Sequence, residues 1–170
     1  NISKYILSKG IKVLSVYAFS TENFKRSKEE VDYLMHIFTS KFKSCIKDFN
    51  KENIKVIFSG RDKPLPNKVL KSMKELEEAM KDNTKGILNI CINYGGRSEL
   101  VDTCKKISKM VENKEISIDD IDEELVSRNL YNDLPDVDLM IRTSGELRLS
   151  NFMLWQNSYA EFYFPKTYFP

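Results

Sequence analysis

The sequence predicts an α/β fold with a central, mostly parallel β-sheet flanked by helices. Three observations lead to this fold class: apolar, β-branched runs recur along the chain, amphipathic helical patterns separate them, and polar or glycine-rich turns join the two. Parallel strands need a crossover connection, usually a helix, so this alternation is typical of a parallel sheet. No repeat, low-complexity tract or linker interrupts it, and we predict a single domain over residues 1–170.

The first predicted strand is the apolar run from Ile11 to Ser20, whose composition is typical of a central strand buried on both faces. Apolar residues then recur at steps of three and four, which predicts a long amphipathic helix. Ser27 and Glu30 can form its capping box. The only histidine, His36, falls on the polar flank of this helix and is predicted to be solvated. The apolar stripe consists of Val31, Leu34, Met35, Phe38, Phe42, Cys45, Ile46 and Phe49.

The same pattern continues along the rest of the chain. Further strands are predicted at 54–60, 86–95, 137–145 and 160–164, and the strand at 137–145 is expected to be buried. Two prolines and then two glycines mark entries into helices, and the acidic segment SIDDIDEEL starts a short helix. The apolar faces of the two longer helices are Val69, Met73, Leu76 and Met80, and Leu100, Cys104, Ile107 and Val111.

Composition excludes several classes of protein. The formal net charge of +2 provides no basic field that would indicate a nucleic-acid partner. Three widely spaced cysteines without a C-x-x-C pair argue against a disulfide framework or a zinc site and favour a reducing compartment. No apolar run approaches the ~18 residues of a membrane span, and the start lacks a signal-peptide core, so we expect a soluble or peripheral protein.

Polar clusters follow three of the predicted strands, where ligands bind in open parallel sheets. They lie at residues 20–26 (STENFKR), 93–99 (NYGGRSE) and 141–152 (IRTSGELRLSNF). The first is also compatible with a solvated loop, and the glycine pair of the second with an ordinary turn instead of a phosphate cradle at a helix start. Neither a P-loop nor a G-x-G-x-x-G turn is present, which argues against an ordinary NTPase or a Rossmann dehydrogenase.

The third cluster combines Arg142, Arg148 and Ser150 in one loop rich in hydrogen-bond donors. Two arginines can grip a diphosphate bidentately. The alternative is surface ion pairing, which is the commoner fate of arginine. Residue patterns alone therefore predict an anion-binding α/β domain.

Together and in this order the three clusters resemble the cis-prenyltransferases, the family of undecaprenyl and dehydrodolichyl diphosphate synthases. The similar segments are YAFSTENFKR at 17–26, INYGGRSEL at 92–100 and DLMIRTSGELRLSNFMLWQNSYAEFYF at 138–164, and the similarity runs from near Ile11 to Pro170. The resemblance implies a transferase that condenses isopentenyl diphosphate with an allylic prenyl diphosphate, expected to be farnesyl diphosphate. The product is a Z-polyprenyl diphosphate, the precursor of polyprenols such as dolichol or of undecaprenyl lipids.

The resemblance also assigns roles in the first cluster. Ser20, Asn23 and Arg26 match loop positions that organise the two substrates around the reacting carbons, with Asn23 as the proton-relay candidate. Glu30 matches a position linked to loop closure over substrate, although its capping-box pairing explains it equally well. Phe24 stands where many members carry tryptophan, and this change removes no assigned group.

In the third cluster the resemblance assigns Arg142, Arg148 and Ser150 to the diphosphate of isopentenyl diphosphate. Leu147 stands where some members carry a polar or basic residue. Glu161 matches the acidic position that assists Mg²⁺, the implied cofactor. The implied partners are the two isoprenoid diphosphates and a second copy of the chain in a homodimer.

Members of the family open with a D-G-N-R-R-W segment whose aspartate works with magnesium, and this chain begins after it. The resemblance therefore implies an N-terminally truncated form of a six-stranded sheet, without its first strand, and leaves the activity of the 170 residues alone open. The closing PKTYFP is similarly interpreted as the start of a further segment. Two locations fit, the cytoplasm or the periphery of an internal membrane, which in a eukaryote would be the endoplasmic reticulum.

Two alternative functions remain at this stage. One is a non-catalytic subunit that supports an active partner chain, against which the retained loop residues argue. The other is a generic phosphate-binding α/β module. A polyprenyl product also needs an apolar tunnel, for which the helix residues Val31, Leu34, Phe38, Phe42, Met73 and Met80 are candidates, although core packing explains each of them.

Overall fold

A computed structural model describes the backbone of residues 2–168, and the side chains of residues 5–168 except that of residue 43. The described residues form two compact units, the first ending at Tyr94 and the second starting at Gly95. None of the helices in this part of the chain is long and apolar enough to cross a membrane. The elements are α1 Ile2–Ser8, β1 Val13–Ser20, α2 Lys28–Lys51, β2 Ile54–Ser59, α3 Asn67–Met80, β3 Gly86–Tyr94, α4 Gly96–Glu112, α5 Glu123–Arg128, β4 Leu139–Ile141 and β5 Glu161–Tyr163.

The first unit contains a parallel sheet of three strands in the order β1-β3-β2, flanked by helices. Val13 pairs with Ile87 on one side of β3, and Ile54 pairs with Gly86 on the other. The strand predicted at 11–20 is confirmed, but β1 is an edge strand of this sheet and β3 is central. Burial explains the difference, because seven of the nine β3 residues are buried whereas most of β1 is half-exposed.

Helices α2 and α3 pack against each other and against β2, and their apolar faces form the core of this unit. Four phenylalanines run through it: the ring centroids of Phe19 and Phe38 are 6.2 Å apart, those of Phe38 and Phe42 5.9 Å, and those of Phe42 and Phe58 5.1 Å. His36 is exposed, as predicted. All six tunnel candidates lie in this core or pack against it, which supports the core interpretation of each.

A buried polar network links the three strands inside this core. Asn89 is 1% exposed. Its Oδ1 accepts a hydrogen bond from Ser59 Oγ at 2.8 Å, and its Nδ2 donates to Ser15 Oγ at 3.1 Å. One side chain of β3 therefore joins β1 and β2.

The end of β3 approaches the turn after β2 closely. Gly60 adopts φ 141°, and a Cβ built on it would lie 1.8 Å from the carbonyl oxygen of Ile92. Asn93 donates from Nδ2 to the carbonyl oxygens of Arg61 and Lys63, both at 2.7 Å. The asparagine of the second polar cluster thus has a structural role in this turn.

The second unit contains α4, α5 and a parallel ladder in which Leu139 pairs with Glu161. The predicted strands at 137–145 and 160–164 are observed only as the three-residue β4 and β5. The expectation of a buried strand was wrong for β4, since Leu139 is 51% exposed and Ile141 is 54% exposed. A ladder of two strands leaves alternate side chains uncovered, so an apolar composition does not by itself bury them.

Candidate anion-binding site

The loop after β4 gathers the arginines and the serine of the third cluster, and we call residues 142–150 the arginine loop. Arg142 Nη1 donates to the carbonyl oxygen of Arg148 at 2.8 Å and to Ser150 Oγ at 2.6 Å. Arg148 in turn forms an ion pair with Glu146. Arg142, Arg148 and Ser150 are therefore brought together as the sequence predicts.

This arrangement leaves donors for an anionic ligand. A guanidinium has five N–H donors on three nitrogens, and Arg142 uses Nη1 for its hydrogen bonds to Arg148 and Ser150. The side chain of Arg148 is 61% exposed, and its carboxylate partner can be displaced by a more highly charged anion. The loop can thus bind a phosphate or diphosphate that competes with Glu146.

The backbone of this region is unusual. Ser144, Gly145, Ser150, Asn151 and Met153 all have positive φ, between 45° and 70°. Left-handed conformations are unfavourable for residues with a side chain, and they persist where surrounding contacts hold them. Two backbone hydrogen bonds hold the start of the loop: Ser144 N donates to the carbonyl oxygen of Thr167, and Gly145 N donates to that of Pro165.

The N-terminus of α4 holds the end of the loop. Gly96 N donates to the carbonyl oxygen of Asn151 at 2.7 Å, and Arg97 N donates to Asn151 Oδ1 at 2.8 Å. A Cβ on Gly96 would lie 2.7 Å from Leu154 Cγ, so glycine permits this approach. The first amides of α4 therefore bind Asn151, which favours the turn interpretation of the second cluster over a phosphate cradle.

A buried carboxylate reinforces this contact. Glu99 is 2% exposed and lies in the first turn of α4. Its Oε1 accepts from Tyr131 N and its Oε2 from Gln156 Nε2, both at 3.1 Å. Sequence reasoning missed both Glu99 and Asn151, since their partners lie 32 to 57 residues away.

The first cluster forms a compact turn in the first unit. Ser20 N donates to Asn23 Oδ1 at 2.7 Å, so the amide oxygen of Asn23 stabilises the 3-10 helix Thr21–Lys25. Arg26 and Glu30 are exposed. Ser27 Oγ accepts from Glu30 N at 3.3 Å, which supports the helix-capping interpretation of this pair.

Glu161, the predicted magnesium ligand, is exposed at the start of β5. Among residues 2–168 no group of three or more His, Cys, Asp or Glu side chains is placed to hold a metal ion. Mg²⁺ commonly binds one or two carboxylates and takes its other oxygens from phosphates and water. A single exposed carboxylate fits that donor set as one ligand.

Comparisons with known proteins point to one family. The family model described as "Putative undecaprenyl diphosphate synthase" matches residues 1–170. A tritrans,polycis-undecaprenyl-diphosphate synthase (geranylgeranyl-diphosphate specific) of Pyrococcus horikoshii is 48% identical over 164 residues, which cover 95% of this chain and 62% of that protein. An isoprenyl transferase of Fusobacterium nucleatum is 46% identical over 98% of this chain and 70% of its own length.

Solved structures give the same result. Lavandulyl diphosphate synthase from Lavandula x intermedia, crystallised with dimethylallyl diphosphate, matches with a TM-score of 0.91 and 36% identity over 97% of this chain and 72% of that one. A probable undecaprenyl diphosphate synthase from Campylobacter jejuni matches with a TM-score of 0.86 and 35% identity over 98% of this chain and 77% of that one. The chain spans about 62% of the length of several of its curated relatives.

Proposed function

The chain belongs to the undecaprenyl diphosphate synthase family of cis-prenyltransferases, and from this premise we propose that its protein condenses isopentenyl diphosphate with an allylic prenyl diphosphate. The product is a Z-polyprenyl diphosphate. The observation that carries the proposal is the arginine loop, in which Arg142 binds Ser150 Oγ and the backbone carbonyl of Arg148, and the exposed guanidinium of Arg148 pairs with Glu146.

The arginine loop is proposed to hold the diphosphate of isopentenyl diphosphate. Its donors would fix the homoallylic double bond close to the allylic carbon, and positioning of this kind lowers the barrier of a bimolecular step. The allylic carbon–oxygen bond breaks and diphosphate departs, and the isopentenyl double bond attacks the cationic carbon to form a carbon–carbon bond. The resulting cation loses a proton to the released diphosphate, which leaves a Z double bond. No covalent intermediate with the protein is required.

Residues outside the arginine loop have proposed roles that rest on the family resemblance. Ser20, Asn23 and Arg26 would organise the reacting groups, and Glu30 would accompany closure over substrate. The amide oxygen of Asn23 accepts one hydrogen bond from Ser20 N, and an amide oxygen has a second lone pair that can accept another. Glu161 is proposed to hold Mg²⁺, which when bound neutralises charge on a departing diphosphate.

We also propose an allylic substrate, an assembly and a location for this protein. Relatives differ in their named allylic compounds, geranylgeranyl diphosphate in the archaeal enzymes and dimethylallyl diphosphate in the lavender crystal structure. Farnesyl diphosphate is our proposed primer, and a homodimer our proposed assembly. The cytoplasm or the periphery of an internal membrane is the proposed location.

The direct test is incorporation of radiolabelled isopentenyl diphosphate into butanol-extractable lipid by the full-length protein, with farnesyl diphosphate and Mg²⁺. Lipid formation that stops on addition of EDTA is expected. Absence of product with farnesyl and geranylgeranyl diphosphates alike would contradict the proposal and favour a non-catalytic subunit.

A further inference from the structure

The contact between Asn151 and α4 joins a helix N-terminus to the end of the arginine loop. Ser150 receives the hydrogen bond from Arg142, and the next residue binds the first two amides of α4 through its carbonyl oxygen and its side chain. Building on the proposed function, we propose that Asn151 is a positioning residue for isopentenyl diphosphate. It would act by holding Ser150 and the carbonyl oxygen of Arg148 in place for Arg142.

Helix α4 needs such an acceptor. The first amides of a helix have no partner within it, and a side chain at the N-cap usually accepts from one of them. The N-cap of α4 is Gly95, which has no side chain. Asn151 supplies the missing acceptor from 54 residues further along the chain. The contact therefore stabilises the helix and the loop together.

The type of residue matches this task. Asn151 has φ 63°, a conformation that asparagine, aspartate and glycine tolerate better than other residues. Its amide oxygen reaches Arg97 N without a change in this backbone. Aspartate tolerates the positive φ and also has a side-chain oxygen that can accept from Arg97 N, whereas glycine only tolerates the positive φ. The two variants therefore separate the effect of the side-chain acceptor from the effect of the backbone conformation.

The contact between Asn151 and α4 lies in a segment whose backbone has positive φ angles. Ser150, Asn151 and Met153 have φ of 51°, 63° and 45°. Loss of the bonds to α4 removes some of the contacts that hold this segment and allows it to shift toward right-handed conformations. Such a rotation turns Ser150 Oγ away from Arg142 Nη1, from which it is separated by 2.6 Å.

The experiment compares three variants of the full-length protein. Asn151→Gly should raise the KM for isopentenyl diphosphate about tenfold and leave kcat within about twofold. The variant loses the neutral hydrogen bond from Arg97 N to the side chain of Asn151. Asn151→Asp should keep KM within about twofold of the original value, since a carboxylate at a helix N-terminus is a good acceptor. The matched control is Asn113→Gly at the other end of α4, which should lower the melting temperature without changing KM.

A binding measurement without turnover separates positioning from stability. Isothermal titration with isopentenyl diphosphate, in EDTA, should show the same tenfold loss for Asn151→Gly, and the losses of Asn151→Gly and Ser150→Ala should not multiply in the double variant. An unchanged affinity in Asn151→Gly, equal losses in the Gly and Asp variants, or fully multiplicative effects would each overturn the inference.

The same titration separates this inference from the proposed function. If the unaltered protein binds isopentenyl diphosphate no better than inorganic pyrophosphate, the proposed function fails. Pyrophosphate then becomes the probe for Asn151: a tenfold loss in the glycine variant supports a positioning role in anion binding, and no loss contradicts it.

Discussion

Arg148 illustrates how one exposed residue can matter for binding and little for stability. Its ion pair with Glu146 is between two solvated side chains, with exposures of 61% and 43%, and such pairs contribute little to folding. A diphosphate presents more charge and more acceptors than one carboxylate. The guanidinium of Arg148 should therefore interact more strongly with a bound diphosphate than with Glu146 in the free protein.

Replacement of this residue gives a prediction at the residue scale. Arg148→Ala should raise the KM for isopentenyl diphosphate about ten- to a hundredfold, the range expected for loss of a charged hydrogen bond. The melting temperature should change little. Steady-state kinetics of the full-length protein provides the measurement.

Arg128→Ala is the matched control, because Arg128 forms a comparable exposed ion pair with Glu124 on α5. It should leave KM unchanged. A KM in Arg148→Ala equal to that of the unaltered protein would show that this arginine does not bind the substrate.

Residue types and close spacing made part of the site predictable. Arg142, Arg148 and Ser150 lie within one loop, so their grouping could be inferred from the sequence. The role proposed for Asn151 could not, because it depends on Arg97 in α4, which lies 54 residues away. Long-range contacts of this kind depend on tertiary packing, which a local pattern does not encode.

At the scale of elements, the contact between α3 and β2 includes a carboxylate in a half-buried position. Glu77 Oε1 accepts a hydrogen bond from Phe58 N at 3.0 Å. Burial raises the pKa of Glu77 above its usual 4.5, and the hydrogen bond from Phe58 opposes this in part. The protonated form is therefore favoured more in the folded chain than in the unfolded one.

This pKa shift predicts a pH dependence. Below about pH 4.5 the side chain is protonated in both states, and its favourable contribution is fully present. Between the unfolded and the folded pKa, the folded protein binds more protons than the unfolded chain, so its stability falls as pH rises. The contribution is lost once the pH has passed the folded pKa. Relative to Glu77→Gln, the unaltered protein should be less stable at pH 7 than at pH 4.

Chemical denaturation at the two pH values measures this difference. Glu75→Gln, on the exposed face of α3, is the matched control for removal of one carboxylate from this helix. If the stability difference between Glu77→Gln and the unaltered protein is the same at both pH values, the shift does not contribute to folding.

The turn after β2 gives a second prediction at this scale. Gly60→Ala should destabilise the first unit by more than about 2 kcal/mol, because the backbone is strained for alanine and a real Cβ would overlap the Ile92 carbonyl. Urea denaturation followed by circular dichroism provides the measurement. Gly10→Ala is the control: Gly10 has φ 87° but no described atom within 4 Å of its Cβ, so a loss of about 1 kcal/mol is expected.

An equal loss in the two glycine variants would show that the close approach of Gly60 to Ile92 has no energetic consequence. A larger loss for Gly60→Ala would identify steric overlap as the main cause, since both positions require a positive φ.

On the scale of the whole molecule, the fold class and most long elements followed from the sequence. Apolar periodicity identified α2 and α3, and apolar β-branched runs identified β1, β2 and β3. It also located α4, but that helix buries Glu99, Thr103 and Ile107, whereas Cys104 of the predicted apolar face is exposed. Strand order was less accessible, and the central position went to β3 instead of β1. Periodicity reports which side chains are buried and not which strand lies beside which. The single-domain prediction stays untested.

The buried Asn89 gives a prediction for the sheet as a unit. Asn89→Ala removes the hydrogen bonds to Ser15 and Ser59 and a weak one to Cys91 Sγ, so a loss of about 2–4 kcal/mol in unfolding free energy is expected. The midpoint of urea denaturation should fall without a change in slope. Asn113→Ala at an exposed helix end should lose less than about 1 kcal/mol, and an equal loss would contradict a linking role for Asn89.

The short ladder of β4 and β5 has a consequence for hydrogen–deuterium exchange. The amides of β4 and β5 should exchange early, because each strand has only three paired residues. The amides of β3 should exchange last, because this strand is hydrogen-bonded on both sides. The arginine loop extends from the early-exchanging ladder. The amides of Gly96 and Arg97 in α4 donate to Asn151, directly after this loop, and their protection should increase when a diphosphate occupies the loop.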